Sequence, residues 1–298
     1  MSLAEKSYHP IRKAVLPVAG FGTRVLPATK TIPKEMLPVV DRPALQYVVD
    51  EALAAGIEHF IFVTGRNKGA IEDYFDRAYE LEYSLSNRGK TDIFEELQGT
   101  NPKPGSMSFV RQQSAQGLGH AVWCARDIVG DEPFAVLLPD VLIKSETSCL
   151  AQMMDAYAEV GGNVIAVDPV PEERVSSYGV IAPAEGQSAD ADLIRMSAMV
   201  EKPPVGDAPS NLKITGRYIL QPEVMGLLAD QDPGAGGEIQ LTDAMARLME
   251  SQDFHALRYT GQDYDCGSKL GYFEAVLAFA LDHDEIGNGA RDLIGRQS

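Results

Sequence analysis

The sequence has few of the residues that build disulfide frameworks, zinc sites and nucleophilic catalytic centres. Its 298 residues include three cysteines, Cys124, Cys149 and Cys266, which stand far apart and form no C-x-x-C pair. The five histidines are equally scattered. This spacing argues against a structural zinc site and against a Ser-His-Asp triad, and it indicates a reducing compartment.

Long apolar runs and an excess of positive charge are also missing. No stretch reaches the roughly 18 consecutive apolar residues of a membrane helix, and the opening MSLAEKSYHPIRK lacks the apolar segment of a signal peptide. The 26 Lys and Arg residues face 43 Asp and Glu residues, a net charge of −17, whereas nucleic-acid binding demands a basic face. We therefore predict a cytoplasmic protein with no nucleic-acid and no membrane partner.

Short apolar runs alternate with helix-like stretches through the first half of the chain. PALQYVVDEALAAGI and NKGAIEDYFDRAYELEY have helical spacing, while HFIFVTG and FAVLLPD are typical of buried strands. The alternation predicts an α/β fold with a doubly wound, largely parallel sheet. The length fits two domains of about 150 residues or one α/β unit with insertions.

We divide the chain into regions of different character. Residues 12–160 carry the strand–helix alternation, interrupted at about 80–105 by a polar, partly helical insertion that is a candidate lid or subunit contact. Residues 161–286 are richer in β-strand patterns, and the tail from 287 to 298 is expected to be loose.

The segment AGFGTRVLPATKTIPKEMLP, residues 19–38, follows the apolar run 14–18 and at first resembles a dinucleotide-binding fingerprint. The third glycine would fall at Val25, however, and a helix opening there would contain Pro27 and Pro33 in its interior. An interior proline costs about 3 kcal/mol. The sequence therefore predicts a long ordered loop over the carboxyl end of the first strand, where ligands collect in α/β sheets.

Charge indicates what this loop binds. Residues 24–42 contain four cationic side chains and only two carboxylates, in a chain that is otherwise acidic. A cationic loop flanked by glycines favours a phosphorylated small molecule. The alternative is an ordinary surface loop with solvated lysines.

Four further places carry polar residues in suggestive settings. Gln112 precedes a glycine-flanked turn, Asp140 ends a strand-like run, VEKP spans residues 200–203 and YDCGS spans 264–268. A glutamine amide presents a donor and an acceptor, as a pyrimidine edge does, and aspartates at a strand end are common magnesium ligands. Each motif alone is equally compatible with a solvated turn.

The order of these motifs resembles that of the bacterial UTP:glucose-1-phosphate uridylyltransferases, in the sugar nucleotidyltransferase family. GxGTRxLPxTKxxPKEMLP is followed by Q-x4-GLG-x-A, LLPD, YGVI, VEKP, GEIQLTD and YDCGS, over residues 12–281. The resemblance implies a single Rossmann-like nucleotidyltransferase domain with a nucleotide-binding first half and a β-rich, sugar-binding second half. It also implies Mg²⁺ as cofactor, and a homodimer or homotetramer.

The implied reaction is attack by the phosphate of α-D-glucose 1-phosphate on the α-phosphorus of UTP, which gives UDP-glucose and pyrophosphate. The attacking phosphate is already anionic, so the reaction needs charge neutralisation and in-line alignment rather than a protein nucleophile. The resemblance implies these roles: nucleotide binding by Ala19, Gly20, Gly22, Thr23, Glu35, Gln112 and Gly117; catalysis by Arg24, Lys34 and Lys202; sugar binding by Gly179, Glu201 and Lys202; metal binding by Asp140 and Asp265.

Three other functions are considered: a thymidylyltransferase-type relative, a nucleotide-sugar-binding regulatory relative without turnover, and a dinucleotide-dependent oxidoreductase. Thr23 and Arg24 are both present, whereas a silent relative is expected to lose the arginine. For the two aspartates the alternative is structural, because Asp140 and Asp265 could each cap a following helix. As metal ligands, both are expected to reach the carboxyl edge of one sheet.

Overall fold

A nine-stranded mixed sheet forms the centre of the computed structural model, which describes residues 8–296. Two segments lie outside the described residues. They are residues 1–7, which belong to the opening that lacks a signal-peptide pattern, and residues 297–298, which end the tail predicted to be loose. The strands in chain order are β1 (Lys13–Pro17), β2 (Pro38–Val39), β3 (Arg42–Pro43), β4 (His59–Thr64), β5 (Met107–Arg111), β6 (Phe134–Leu137), β7 (Val141–Lys144), β8 (Asn163–Pro169), β9 (Gly179–Pro183), β10 (Leu193–Glu201), β11 (Leu212–Leu220), β12 (Phe254–Arg258) and β13 (Gln262–Asp265).

Helices cover both faces of this sheet, as in a doubly wound fold. They are α1 (Ala44–Ala54), α2 (Gly69–Tyr74), α3 (Tyr79–Asn87), α4 (Thr91–Gly99), α5 (Leu118–Cys124), α6 (Arg126–Val129), α7 (Cys149–Val160), α8 (Val224–Ala229), α9 (Leu241–Leu248), α10 (Lys269–Asp282) and α11 (Gly287–Gly295). None of these helices combines the length and the apolar character needed to cross a bilayer.

The strand order is β5-β4-β1-β6-β11-β8-β12-β10-β9. β5, β4, β1 and β6 are parallel, as the strand–helix alternation of the first half predicts. In the second half β11 is antiparallel to both of its neighbours, and β10 is antiparallel to β12 and β9. The predicted α/β class is confirmed; the sheet is mixed rather than largely parallel, and its parallel pairings lie mainly in the first half.

Alternation along the strands produces two hydrophobic cores. Successive side chains of a strand point to opposite faces, so Leu16 and Phe62 pack on one face with α1 and α7, while Val15 and Ile61 pack on the other with α5, α8 and α9. The buried strands therefore hold the loops at their carboxyl ends in fixed positions.

Three segments differ from the sequence-based predictions. The single helix expected after residue 66 is divided into α2 and α3, and the Asp76 side chain accepts a hydrogen bond from the Arg77 backbone at the break. The stretch GEIQLTDAMARLME looks helical in sequence, but its helix α9 begins only at Leu241, after GEIQ. The tail contains α11, because the Arg291 guanidinium donates to the Leu281 carbonyl (2.7 Å) and joins this helix to α10.

Candidate active site

Three loops that follow parallel strands surround the candidate site. The glycine loop follows β1, Gln112 follows β5, and Pro139 and Asp140 follow β6. Parallel strands end at the same edge of a sheet, so these loops meet there. Together they line a cleft of about 430 Å³.

The glycine loop has the irregular course that its prolines predict. After β1 the chain turns at Gly22, with φ of 65°, and then forms three short 3-10 turns between Thr23 and Met36. In the described part of the chain no α-helix begins before Ala44. A Cβ at Gly22 would lie 3.1 Å from the Lys34 Cβ, so glycine allows the loop to close against Lys34. The dinucleotide fingerprint is excluded.

Most of the predicted nucleotide and catalytic residues line the cleft. Glu238 also lines it, although the sequence interpretation gave this residue no role. The lining includes Ala19, Gly20, Arg24, Lys34, Gln112, Gly117 and Asp140 from the predicted set, together with Phe21, Leu118, Pro139 and Glu238.

A buried ion pair lies at one end of the cleft. The Lys34 Nζ is 2.6 Å from Asp140 Oδ2, and both side chains are less than a fifth exposed. Burial acts against charge on both groups, but each partner outweighs it: Asp140, with Glu35, raises the pKa of Lys34, and Lys34 lowers the pKa of Asp140. Both groups are therefore charged at neutral pH, and the ammonium is held in place before a substrate arrives.

Arg24 is placed differently from Lys34. Its side chain is 65% exposed, and its guanidinium lies 3.9 Å from Asp140 and 3.8 Å from Asp265. These are long ion pairs at a solvent-accessible position, which hold an arginine only weakly. Arg24 can therefore move onto a phosphate group that enters the cleft.

Asp140 and Asp265 meet through a small antiparallel ribbon rather than at the edge of the main sheet. β7 pairs with β13, Asp265 is the register partner of Val141, and the Cys266 N–H donates to the Asp140 carbonyl (2.8 Å). A Cβ built on Gly267 would lie 2.8 Å from Asp140 Oδ2 and 2.8 Å from Asp265 Oδ1. The two oxygens are thus no farther apart than twice that distance, and the Arg24 guanidinium lies 2.6 Å from the same point.

This pair fits the donor set of a magnesium site. Mg²⁺ binds to one or two carboxylates and completes its octahedron with waters and substrate phosphates. Among residues 8–296 no group of three or more Asp, Glu, His and Cys could hold a metal, so a site here would depend on the nucleotide for further ligands.

The helix-capping alternative does not agree with the structure. Asp140 is followed directly by strand β7, and the N-cap of α10 is Ser268, whose hydroxyl accepts from the Gly271 N–H (3.1 Å). Asp265 accepts from the Gly267 N–H (2.9 Å) in the turn before that helix. Neither aspartate caps a helix.

A fully buried arginine fixes the loop that carries Asp140, and sequence reasoning missed it. Arg217 pairs with Glu51 (2.8 Å) and donates to the carbonyls of Leu138 (3.1 Å) and Val141 (2.7 Å), on either side of Asp140. A buried charge is retained only with such partners. The sequence feature that could have indicated this role is the charge of Arg217 within residues 211–220, NLKITGRYIL, which otherwise have the pattern of a strand.

Glu35 requires a correction. Its side chain is fully buried and accepts from Lys68 Nζ (2.8 Å), and it does not line the cleft. Burial raises the pKa of Glu35 although Lys68 and Lys34 oppose it. Direct nucleotide contact by Glu35 is thus not supported, because the side chain exposes no atom to a ligand. It braces the loop from beneath. Gly22 and Thr23 are likewise not among the lining residues.

At the other end of the cleft, Gln112 and Gly117 face each other. The Gln112 backbone is bound to the Thr64 carbonyl (2.8 Å), and its side-chain Nε2 donates to the Gly117 carbonyl (3.1 Å). Gly117 has φ of 107°, and a Cβ there would lie 2.7 Å from the Glu238 Cβ. Only glycine allows the 238–240 segment to approach this closely.

The predicted sugar residues form a second group beside the cleft. Gly179 and Glu201 are register partners in β9 and β10, and Glu201 accepts from Thr242 Oγ1 (2.7 Å). Lys202 follows with a left-handed φ of 48° and its Nζ 3.3 Å from Glu201. Burial, then Glu201 and Asp140, raise the pKa of Tyr218.

Comparisons with known proteins identify the family of this chain. The family model described as nucleotidyl transferase matches residues 13–280. The UTP–glucose-1-phosphate uridylyltransferase of Bacillus subtilis (strain 168) is 49% identical over 276 residues, covering 93% of each chain. A solved structure of UTP-bound UGPase from Acinetobacter baumannii is 47% identical, with a TM-score of 0.89 over 97% of this chain and 100% of that chain. A UDP-glucose pyrophosphorylase complexed with UDP-glucose is 42% identical, with a TM-score of 0.81 over 92% and 100%.

Proposed function

The chain belongs to the nucleotidyl transferase family, and from this membership and its likeness to the uridylyltransferases we propose that it joins the uridylyl group of UTP to glucose 1-phosphate. A phosphate oxygen of α-D-glucose 1-phosphate forms a bond to the α-phosphorus of UTP. The bond from that phosphorus to the bridging oxygen breaks, and pyrophosphate leaves. The observation that carries this proposal is a single cleft with an amide at one end and the Lys34, Arg24 and Asp140 charges at the other.

The chain's own cations supply the charge neutralisation that this reaction needs. Lys34 is charged, largely buried and fixed by Asp140, which suits a position beside the α-phosphorus. Arg24 is exposed, only weakly held by its two ion pairs, and its guanidinium can donate to two oxygens at once, which suits the departing pyrophosphate. We assign the uracil and ribose to Ala19, Gly20, Gln112 and Gly117.

Glucose 1-phosphate is assigned to the second group of residues. Thr242 orients Glu201, whose free lone pairs accept from glucose hydroxyls beside the Gly179 backbone. The Lys202 side chain is half exposed, so its ammonium is available to the attacking phosphate. The left-handed backbone conformation of Lys202 is uncommon for a residue other than glycine and is typical of functional sites. Asp140 and Asp265 would hold Mg²⁺, which when bound offsets the negative charge of the triphosphate.

Turnover across a matrix of substrates tests the proposal. Pyrophosphate release should be measured for UTP, dTTP, CTP, ATP and GTP, each with glucose 1-phosphate and galactose 1-phosphate. The highest kcat/KM should belong to UTP with glucose 1-phosphate. A preference for dTTP would identify a thymidylyltransferase, and binding of UDP-glucose without any turnover would identify a regulatory relative.

Removing the Arg24 guanidinium should slow the reaction while leaving the fold intact. Arg24→Ala is expected to lower kcat by about 10² or more, as when one charge-stabilising donor is lost. Arg24→Lys keeps the charge without the fork and should recover part of the rate. The measurement is steady-state kinetics together with thermal unfolding. Normal turnover by a folded Arg24→Ala protein would remove this role.

We also propose a cytoplasmic homodimer or homotetramer. Support comes from apolar side chains left exposed on the last two helices: Leu270 is 77% exposed, Phe273 62% and Leu293 60%. Monomeric proteins seldom expose large apolar patches. Light scattering coupled to size-exclusion chromatography measures the mass directly, and a monomer at micromolar concentration would contradict the proposal.

A further inference from the structure

We infer that His120 selects the base indirectly, as a positioning residue for Gln112. The imidazole Nδ1 of His120 and the Gly117 carbonyl together accept both N–H bonds of the Gln112 amide, so that only the carbonyl oxygen of this amide is presented to the base. The inference rests on the proposed function, because it concerns how that reaction distinguishes UTP from CTP.

The orientation of the Gln112 amide follows from its partners. Its side-chain nitrogen lies 3.1 Å from the Gly117 carbonyl oxygen and 3.0 Å from His120 Nδ1. A backbone carbonyl can only accept, so the amide atom that faces Gly117 must be the NH₂ group. This group has two hydrogens, and the second one points to His120. Gln112 is 8% exposed and lines the cleft, which leaves Oε1 as the polar atom available to a ligand.

The surroundings of His120 keep its Nδ1 unprotonated. The Gln112 amide donates to this nitrogen, and the Cys124 Sγ lies 3.9 Å from it. The Trp123 ring packs against the imidazole at 5.7 Å, and the Arg126 guanidinium lies 3.8 Å from the centre of the Trp123 ring. Burial lowers the pKa of His120, and Arg126 lowers it further. The neutral imidazole thus carries its proton on Nε2 and accepts at Nδ1.

This arrangement distinguishes the two pyrimidines by their ring nitrogen N3. Uracil carries a hydrogen on N3 and donates to the Gln112 carbonyl oxygen, whereas the unprotonated N3 of cytosine is an acceptor and would meet that oxygen unpaired. A buried polar group facing the wrong partner is strongly disfavoured. Without the His120 acceptor, the Gly117 carbonyl alone holds the amide, and its second N–H is left unpaired and able to donate to the N3 acceptor of cytosine.

Two substitutions separate this role from packing. His120→Leu removes the acceptor but fills the space, and His120→Asn keeps an oxygen near the Nδ1 position. We expect the ratio of kcat/KM for UTP to that for CTP to fall about tenfold or more in His120→Leu, the factor for one hydrogen bond, and to stay near wild type in His120→Asn. The KM for glucose 1-phosphate should stay unchanged in both variants.

Other outcomes overturn the inference. An unchanged UTP-to-CTP ratio in folded His120→Leu, or an equal loss in His120→Asn, would assign His120 to packing. The ¹⁵N spectrum of the wild-type imidazole gives a test that needs no variant: a proton on Nδ1 at pH 7.5 would contradict the proposed tautomer. Absence of UTP turnover in the wild type would instead reject the proposed function, and the ¹⁵N measurement would still decide the tautomer.

Discussion

Asp140→Asn and Asp265→Asn should yield folded proteins that have lost almost all uridylyl transfer. Asparagine keeps the size and one acceptor oxygen but removes the negative charge that makes a carboxylate the stronger Mg²⁺ ligand. We expect kcat to fall by about 10³ or more, within the several kcal/mol that a bound divalent ion contributes to such a reaction. Excess Mg²⁺ or Mn²⁺ should restore part of the activity.

The stability costs of these two substitutions should differ, and this difference is a useful check. Asp140 is the close partner of the buried Lys34, whereas Asp265 is 34% exposed, accepts from the Gly267 N–H and forms only a long ion pair with Arg24. Asp140→Asn should therefore lower the unfolding midpoint more than Asp265→Asn, while both lose activity. Asp253→Asn, in an exposed pair with Arg195, is the matched control and should retain activity and stability.

A ligand-bound structure provides the strictest test of the metal assignment. A magnesium ion bound with UDP-glucose should lie within direct or water-bridged reach of both carboxylates. If neither Asp140 nor Asp265 lies within about 5 Å of the ion, the assignment is wrong. Full activity of the folded asparagine variants would lead to the same conclusion.

The sequence predicts the glycine loop correctly because proline chemistry acts locally. Pro27 and Pro33 have no N–H and cannot sit inside an α-helix, and the segment indeed forms short 3-10 turns. The strands of the first half are equally local, since their apolar runs are buried on both faces of a parallel sheet. Such features need no knowledge of distant residues.

Features that depend on distant residues were predicted less well. Glu35 is an unremarkable carboxylate in sequence, and its burial becomes possible only because Lys68 returns beneath the loop. Likewise, Asp265 lies close to Asp140 because β13 pairs with β7 in one particular register. The residues around either aspartate do not indicate this pairing. The Arg217–Glu51 pair joins β11 to α1 across 166 positions. In each case the sequence around one residue does not indicate which distant residue it will contact.

A substitution at Gly267 tests more sharply whether Arg24, Asp140 and Asp265 act together, because a glycine at this position allows the three side chains to approach one another. A Cβ at this position would lie 2.6 Å from the Arg24 guanidinium and 2.8 Å from a carboxylate oxygen of both Asp140 and Asp265. Arg24 and Asp265 are partly exposed side-chain ends with only long ion pairs, whereas Asp140 is held by Lys34, so the protein can yield through Arg24 and Asp265 without moving its backbone. Gly267 is not among the glycines with positive φ, and alanine can adopt its conformation.

Gly267→Ala should therefore be nearly silent for stability and severe for function. The methyl group must displace Arg24, Asp140 or Asp265, and a displacement of about 1 Å at a reacting centre can cost 10²-fold in rate. We expect kcat to fall by about 10² or more, with an unfolding midpoint within a few degrees of wild type. Gly226→Ala is the control, because a Cβ there meets nothing within 4 Å and alanine favours the helix. Because the methyl group acts only through clearance, full activity of Gly267→Ala would mean that these three side chains do not converge on the reacting phosphates.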